Sequence, residues 1–141
     1  MIRPYRYFVP ILLVALGAAL LSCGSSNPNI GRILTGITVA PGSADAQQFT
    51  NGQVLFTATG TYSLPPFSGP LTFQSPYSGS FIVANPTNPP QTIATVVSTG
   101  PSTVTVQCAS GISGTVPIVA SASANNGTST VISGSGTLIC P

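Results

Sequence analysis

Few groups in this chain could do chemistry. They are three thiols (Cys23, Cys108 and Cys140), one side-chain carboxylate (Asp45) and three guanidinium groups (Arg3, Arg6 and Arg32). The 141 residues contain no His, no Glu and no Lys. General acid–base catalysis needs a titratable group whose pKa can be tuned toward the working pH. A single carboxylate excludes paired-carboxylate mechanisms within one chain. Serines are plentiful, but no base stands ready to activate one. Cys108 and Cys140, with no His or Glu to join them, cannot complete the four-coordination of a zinc site. Asp45, in Gly42-Ser43-Ala44-Asp45-Ala46, reads as the cap of a turn. The chain is therefore expected not to be an enzyme, with no catalytic residue, metal, cofactor or small-molecule substrate.

Cys23 is the thiol whose surroundings say most. Arg3 and Arg6 precede an uncharged run from Phe8 to Leu21, broken only by Pro10, and small Ser22 follows. Positive, apolar, then small is the order of an export signal. The run of 14 residues is shorter than the ~17–25 a spanning helix needs. Leu20-Leu21-Ser22-Cys23 resembles the lipobox of bacterial lipoproteins, with Leu21 where Ala or Thr is more usual. The resemblance implies cleavage before Cys23, a diacylglyceryl group on its thiol, and a further acyl chain such as palmitate on the new amine. Stable anchoring takes more than one acyl chain, at about 0.8 kcal/mol per buried methylene. By the same resemblance Gly24, where an Asp would retain the protein in the inner membrane of some bacteria, favours the outer membrane. The rival readings are ordinary secretion, cleaved near Ala19 or Gly24 with Cys23 left free, and a retained anchor.

Removing residues 1–22 from 141 leaves 119 residues, enough for one domain. It also removes Arg3 and Arg6. The net charge of +2 is therefore a property of the signal, because Arg32 and Asp45 sum to zero. Without clustered Lys and Arg the mature chain lacks the footprint of a nucleic-acid binder or of a polybasic membrane patch. Its polar surface must come from Ser, Thr, Asn and Gln. If Cys23 carries lipid, Cys108 and Cys140 remain as an even pair in an extracytoplasmic chain, which predicts a disulfide. The alternative is two separate buried thiols. Closing that loop would stabilise the fold by roughly 3–4 kcal/mol in the chain-entropy model.

These few groups must be positioned by a chain that reads as β throughout. Residues 23–35 form the expected lipidated N-terminus and tether, rich in Gly, Ser, Asn and Pro, and residues 36–141 the domain. Ile37-Thr38-Val39 alternates and stops at Pro41-Gly42. Asn51-Gly52 launches the clearest strand, with Val54, Phe56, Ala58, Gly60 and Tyr62 on one face and Leu55, Thr57, Thr59 and Thr61 on the other. Leu71-Thr72-Phe73, Ser80 to Ala84, Thr92 to Ser98 and Thr103 to Cys108 read as further strands. Thr115 to Ser123 places Val116, Ile118, Ala120 and Ala122 together, and Pro117, lacking an N–H, marks it as an edge strand or a bulged one. Asn125-Asn126-Gly127 reads as a hairpin turn, although Asn126-Gly127-Thr128 also matches a glycosylation sequon. Ser129 to Cys140, with Gly134 and Gly136 between Ile132 and Leu138, closes the series. About eight short strands at this spacing argue for an all-β sandwich rather than a barrel.

Gly36-Ile37-Thr38-Val39-Ala40-Pro41, followed by Gly52-Gln53-Val54-Leu55-Phe56-Thr57-Ala58-Thr59-Gly60-Thr61-Tyr62, resembles the opening of the bacterial Ig-like domain, group 2. Ile93-Ala94-Thr95-Val96-Val97-Ser98 and Gly114-Thr115-Val116-Pro117-Ile118-Val119-Ala120 continue the likeness, which covers most of residues 36–124. It implies an Ig-like antiparallel β-sandwich of about 7–8 strands in a surface or exported protein, serving as spacer or binding module. Phe73 takes the place where that family usually has Trp, and residues 76–90 have no counterpart in it. The close spacing of Cys108 and Cys140 places them on late strands or their ends, unlike the inter-sheet bridge of antibody domains.

Taken together, the expected function is that of an exported, lipid-anchored, non-catalytic surface module for adhesion or for protein or glycan interaction. Its alternative is a structural spacer or self-associating envelope protein, since Thr-rich strands without Lys or Glu leave sheet edges unguarded. Phe49, Phe67 and Tyr77 have no clear place in the core. Phe67 and Tyr77, among prolines, glycines and serines, are the candidate surface contacts, with packing under a loop as the other reading.

Overall fold

The computed structural model describes residues 31–125 and 128–141, so the segment carrying Cys23, the expected signal and the Asn126-Gly127 part of the expected hairpin turn lie outside the described residues. The strands are β1 (Leu34–Ala40), β2 (Ser43–Asp45), β3 (Gln53–Tyr62), β4 (Ser68–Pro70), β5 (Gly79–Val83), β6 (Ala94–Thr99), β7 (Thr103–Cys108), β8 (Gly114–Ser123) and β9 (Val131–Cys140). They form two sheets. The first runs β1-β3-β7-β6 with β4 added to β3, and the second runs β2-β9-β8-β5. If short β2 and β4 are set aside, the other seven strands take the places A to G of the immunoglobulin constant-type sandwich, with A-B-E-D in one sheet and C-F-G in the other. All pairings are antiparallel except that of β2 with β9.

Period-two alternation places the core between the sheets. On β3, Val54, Phe56, Ala58 and Tyr62 are buried and Leu55 and Thr61 are exposed, as the pattern predicts. Val104 and Val106 from β7, Val116 and Ile118 from β8 and Leu138 from β9 complete the packing around Phe56, all fully buried. Transfer of such side chains from water stabilises by about 1.5–3 kcal/mol each. Strands β3, β5 and β8, in the B, C and F places, carry neither the Cys pair nor the Trp of antibody domains.

The first strand region changes sheets. β1 pairs with β3, the chain turns at Pro41-Gly42, and β2 joins β9 in the second sheet. Gly42 O accepts a hydrogen bond from Thr137 N at 3.0 Å. This crossover brings β1 backbone against β9 and explains the two glycines there. A Cβ on Gly134 would collide with the Ile37 carbonyl, and one on Gly136 would lie 2.7 Å from the Pro41 carbonyl oxygen.

Three expectations are corrected here. Pro117 marks neither an edge nor a bulge. β8 lies between β9 and β5, and its register with β9 is unbroken from Gly114 to Ser123. The missing N–H is tolerated because β5 ends at Val83, opposite Ile118. Just beyond that end, Ala84 N donates to Pro117 O at 2.9 Å. Leu71-Thr72-Phe73 is not a strand; β4 ends at Pro70, and Phe73 packs edge-on against Phe81 with centroids 5.2 Å apart. Finally, the domain begins before residue 36. Leu34 opens β1 and is buried, and Arg32 is buried too, so residues expected in the tether belong to the sandwich.

Candidate functional site

Asp45 spends its carboxylate locally. Its Oδ1 accepts from Gln47 N at 3.0 Å and caps the one-turn 3-10 helix Ala46–Gln48, as the sequence suggests. Among the described residues no group of three or more His, Cys, Asp or Glu side chains could hold a metal ion.

Cys108 and Cys140 are joined, with Cα atoms 5.6 Å apart. They are the last residues of β7 and β9, so the expectation of late strand ends holds. The bridge differs from that of antibody domains in joining the E and G places rather than B and F, yet it too links the two sheets, tying the sandwich together at one pole. The same pole carries Phe49 and the turn leading into β3.

The opposite pole is where the chain enters, and here the two candidate contacts separate. Phe67 is 61% exposed. Tyr77 is 3% exposed and is therefore no surface contact. Its ring packs against Tyr62 at 5.2 Å, and its hydroxyl donates to Arg32 O at 3.1 Å. Proline and glycine around Tyr77 mark an irregular backbone, but its ring is buried against Tyr62 with the hydroxyl satisfied by the Arg32 carbonyl.

Arg32 holds this pole together. Its Cζ lies 4.0 Å from the centroid of the Tyr62 ring, a cation–π contact. Its Nη2 donates to Pro66 O, which fastens the 63–67 loop to the first strand. Ile33 and Ser63 extend the fastening. Ser63 N donates to Ile33 O at 2.9 Å, and Ile33 N donates to Ser63 Oγ at 3.0 Å. Burial pushes the Tyr62 phenol above its ordinary pKa, with neighbouring Tyr77 adding to the shift and Arg32 opposing it. Burial also raises Tyr77, again against Arg32. Both phenols stay protonated, and the Tyr77 hydroxyl remains a donor. The sequence does contain a signal for this cluster. Arg32, the one basic side chain after the expected signal, sits next to apolar Ile33-Leu34, where a tether has no use for it.

Asn85 is a second residue that pattern reading passes over. Its Oδ1 accepts from Ile93 N at 2.9 Å and Ala94 N at 3.0 Å, while its Nδ2 donates to Ala94 O at 2.8 Å. One side-chain amide thus does the work of a neighbouring strand at the start of edge strand β6. That edge is further broken by a bulge between Val96 and Ser98. Bulges and capped ends are how sheet edges are kept from pairing with other chains.

The outward face of the second sheet is nearly uncharged. Ile82, Val119 and Ser135 lie in register across β5, β8 and β9, and Thr115, Ile139 and Asp45 across β8, β9 and β2. Ile82 and Ile139 are exposed there. No protein-family model, curated protein or solved structure matches this chain.

Proposed function

We propose that the protein is a non-catalytic Ig-like module, anchored to the cell envelope by lipid on Cys23 and presenting an uncharged face to a protein or glycan partner. The observation that carries the reading is where its few chemical groups go. Asp45 is engaged as a turn cap and Arg32 as a fastener beneath Tyr62, while Ile82 and Ile139 stand exposed on a face of Ser, Thr and Val. Exposed apolar side chains rimmed by neutral polar ones suit contact with another macromolecule. The resemblance of residues 36–124 to the bacterial Ig-like domain, group 2, and of Leu20 to Cys23 to the lipobox supports the same reading. So does the Cys108–Cys140 bridge, which suits an oxidising compartment.

The anchor is tested by the mass of the native N-terminus. An acylated Cys23 is expected, and Cys23→Ser should leave unprocessed precursor or a soluble product. An unmodified Cys23, or a mature chain that starts elsewhere, refutes anchoring. The face is tested by Ile82→Asp, which should keep the melting temperature and lose binding on arrays of glycans and envelope proteins. Binding that survives the substitution places the contact elsewhere, and enzymatic turnover by the pure protein refutes the whole reading.

A further inference from the structure

We infer that the pole at which the chain enters the sandwich is a membrane-contact surface, with Ile33, Leu64 and Phe67 seated in the interfacial layer of the bilayer. The inference rests on the lipid-anchored reading of Cys23.

Three observations meet at this pole. The first is the side chains themselves. Ile33, Leu64 and Phe67 are 47%, 46% and 61% exposed. They stand together because the first strand and the 63–67 loop are bonded to each other. Ser63 is hydrogen-bonded to Ile33, Tyr62 N donates to Phe67 O at 2.8 Å, and Leu64 Cδ1 lies 3.9 Å from where a Cβ on Gly31 would be. Exposed Pro65 and Pro66 fill the tip of the loop. Prolines have no N–H to desolvate when lipid replaces water.

The second observation is charge. Asp45, the only acidic side chain in the chain, lies in register with Ile139, one residue before Cys140 at the far pole. The pole that holds Ile33 and Phe67 therefore has no carboxylate side chain to be repelled by phosphate headgroups. Arg32, the one cation among the described residues, is packed under Tyr62. The contact is accordingly apolar and calls for a zwitterionic bilayer, with no requirement for anionic lipid.

The third is reach. Residues 31–35 are docked in the domain rather than free as a spacer, so only eight residue steps separate Cys23 from Gly31. At 3.3–3.6 Å per step they span about 28 Å even when fully extended. That is less than the ~33 Å length of a ten-residue strand such as β3. A lipid on Cys23 thus keeps the entry pole, and not the Phe49 pole, against the membrane. Arg32 holds the loop to the strand, so Ile33, Leu64 and Phe67 are presented from hydrogen-bonded segments. The inference assigns Phe67 to lipid rather than to a protein or glycan ligand.

The chain has no Trp, which gives a clean probe. Phe67→Trp, and Phe49→Trp as the far-pole control, are each made in the full, natively processed protein. They are reconstituted into phosphatidylcholine vesicles with brominated acyl chains. The expected result is blue-shifted emission and several-fold stronger quenching for F67W than for F49W, since interfacial apolar groups sit ~5–10 Å into the headgroup and acyl boundary. Leu64→Asp added to F67W should remove most of that difference. Equal quenching at both poles on a protein whose Cys23 is acylated overturns the inference and leaves anchoring intact. So does a blue shift of F67W without bromine quenching, which would mean a second copy or another protein covers the pole. If Cys23 is found unacylated, anchoring fails. The contact then stands only if F67W is still quenched when the chain is mixed with vesicles, and absence of quenching overturns it as well.

Discussion

Replacing Tyr77 and Phe67 separately tests the central finding about the entry pole, that two aromatics from similar sequence surroundings have opposite fates. Tyr77→Ala removes a ring that is 3% exposed and packed 5.2 Å from Tyr62, together with its hydrogen bond to Arg32 O. Truncation of a buried aromatic costs about 3–5 kcal/mol. Tyr77→Phe keeps the ring and leaves the Arg32 carbonyl without the hydroxyl, a cost of about 1–3 kcal/mol. Phe67→Ala acts at a side chain 61% exposed and should fall within about 0.5 kcal/mol of wild type. For a domain of this size 1 kcal/mol corresponds to about 4 °C in Tm. The three variants should therefore melt roughly 12–20 °C, 4–12 °C and no more than 2 °C below the parent. Calorimetry of each, with the disulfide intact, reads these values directly. Equal Tm values for Tyr77→Ala and Phe67→Ala would refute the burial of Tyr77 and with it the fastening role of Arg32.

Gly134→Ala should destabilise by more than a typical core substitution, because the new Cβ meets the Ile37 backbone rather than a flexible side chain; denaturant titration checks this, and a loss below about 1 kcal/mol would contradict the close β1–β9 approach. Removal of the bridge with Cys108→Ser and Cys140→Ser should cost about 3–4 kcal/mol for a sequence separation of 32, and free-thiol labelling of the unreduced parent should find neither cysteine. Stability should be nearly flat from about pH 5 to 9, because the described residues include no His, Glu or Lys. Tyr62 and Tyr77 have raised pKa values in the fold, so their contribution is complete below about pH 10 and is lost as pH climbs through the folded values. Chemical denaturation across that range should show an alkaline decline that Tyr62→Phe and Tyr77→Phe diminish. Asn85→Ala should lower stability by about 1–3 kcal/mol by stranding the Ile93 and Ala94 backbone groups, and hydrogen exchange at those two amides should accelerate.

What the sequence determines by itself is whatever a strand or a short segment settles alone. Side chains alternate across a strand without help from any neighbour, so the faces of β3, β7 and β8 can be read residue by residue before any partner is known. The cap at Asp45 involves an amide two residues away. The Cys108–Cys140 pair is expected from parity once Cys23 is assigned to lipid in an exported chain.

Where long-range partners decide, the sequence is silent. Pro117 is read as an edge residue because a proline lacks a donor, yet only the length of β5 decides whether a donor is needed at that point. Tyr77 sits among residues that favour loops, and loops usually face water. Its ring is buried against Tyr62, and Arg32, 45 residues earlier, supplies the carbonyl that satisfies its hydroxyl. Arg32 looks like part of a tether because Gly, Ser and Asn dominate before it. Its place in the domain depends on Tyr62 and Pro66, which local composition does not weigh. Two cysteines on late strands do not reveal that β7 and β9 lie in different sheets, because sheet membership is a property of pairing order. Local stereochemistry therefore determines the elements and their faces, and the competition of distant groups for one another decides which pole each residue joins and whether it is buried there.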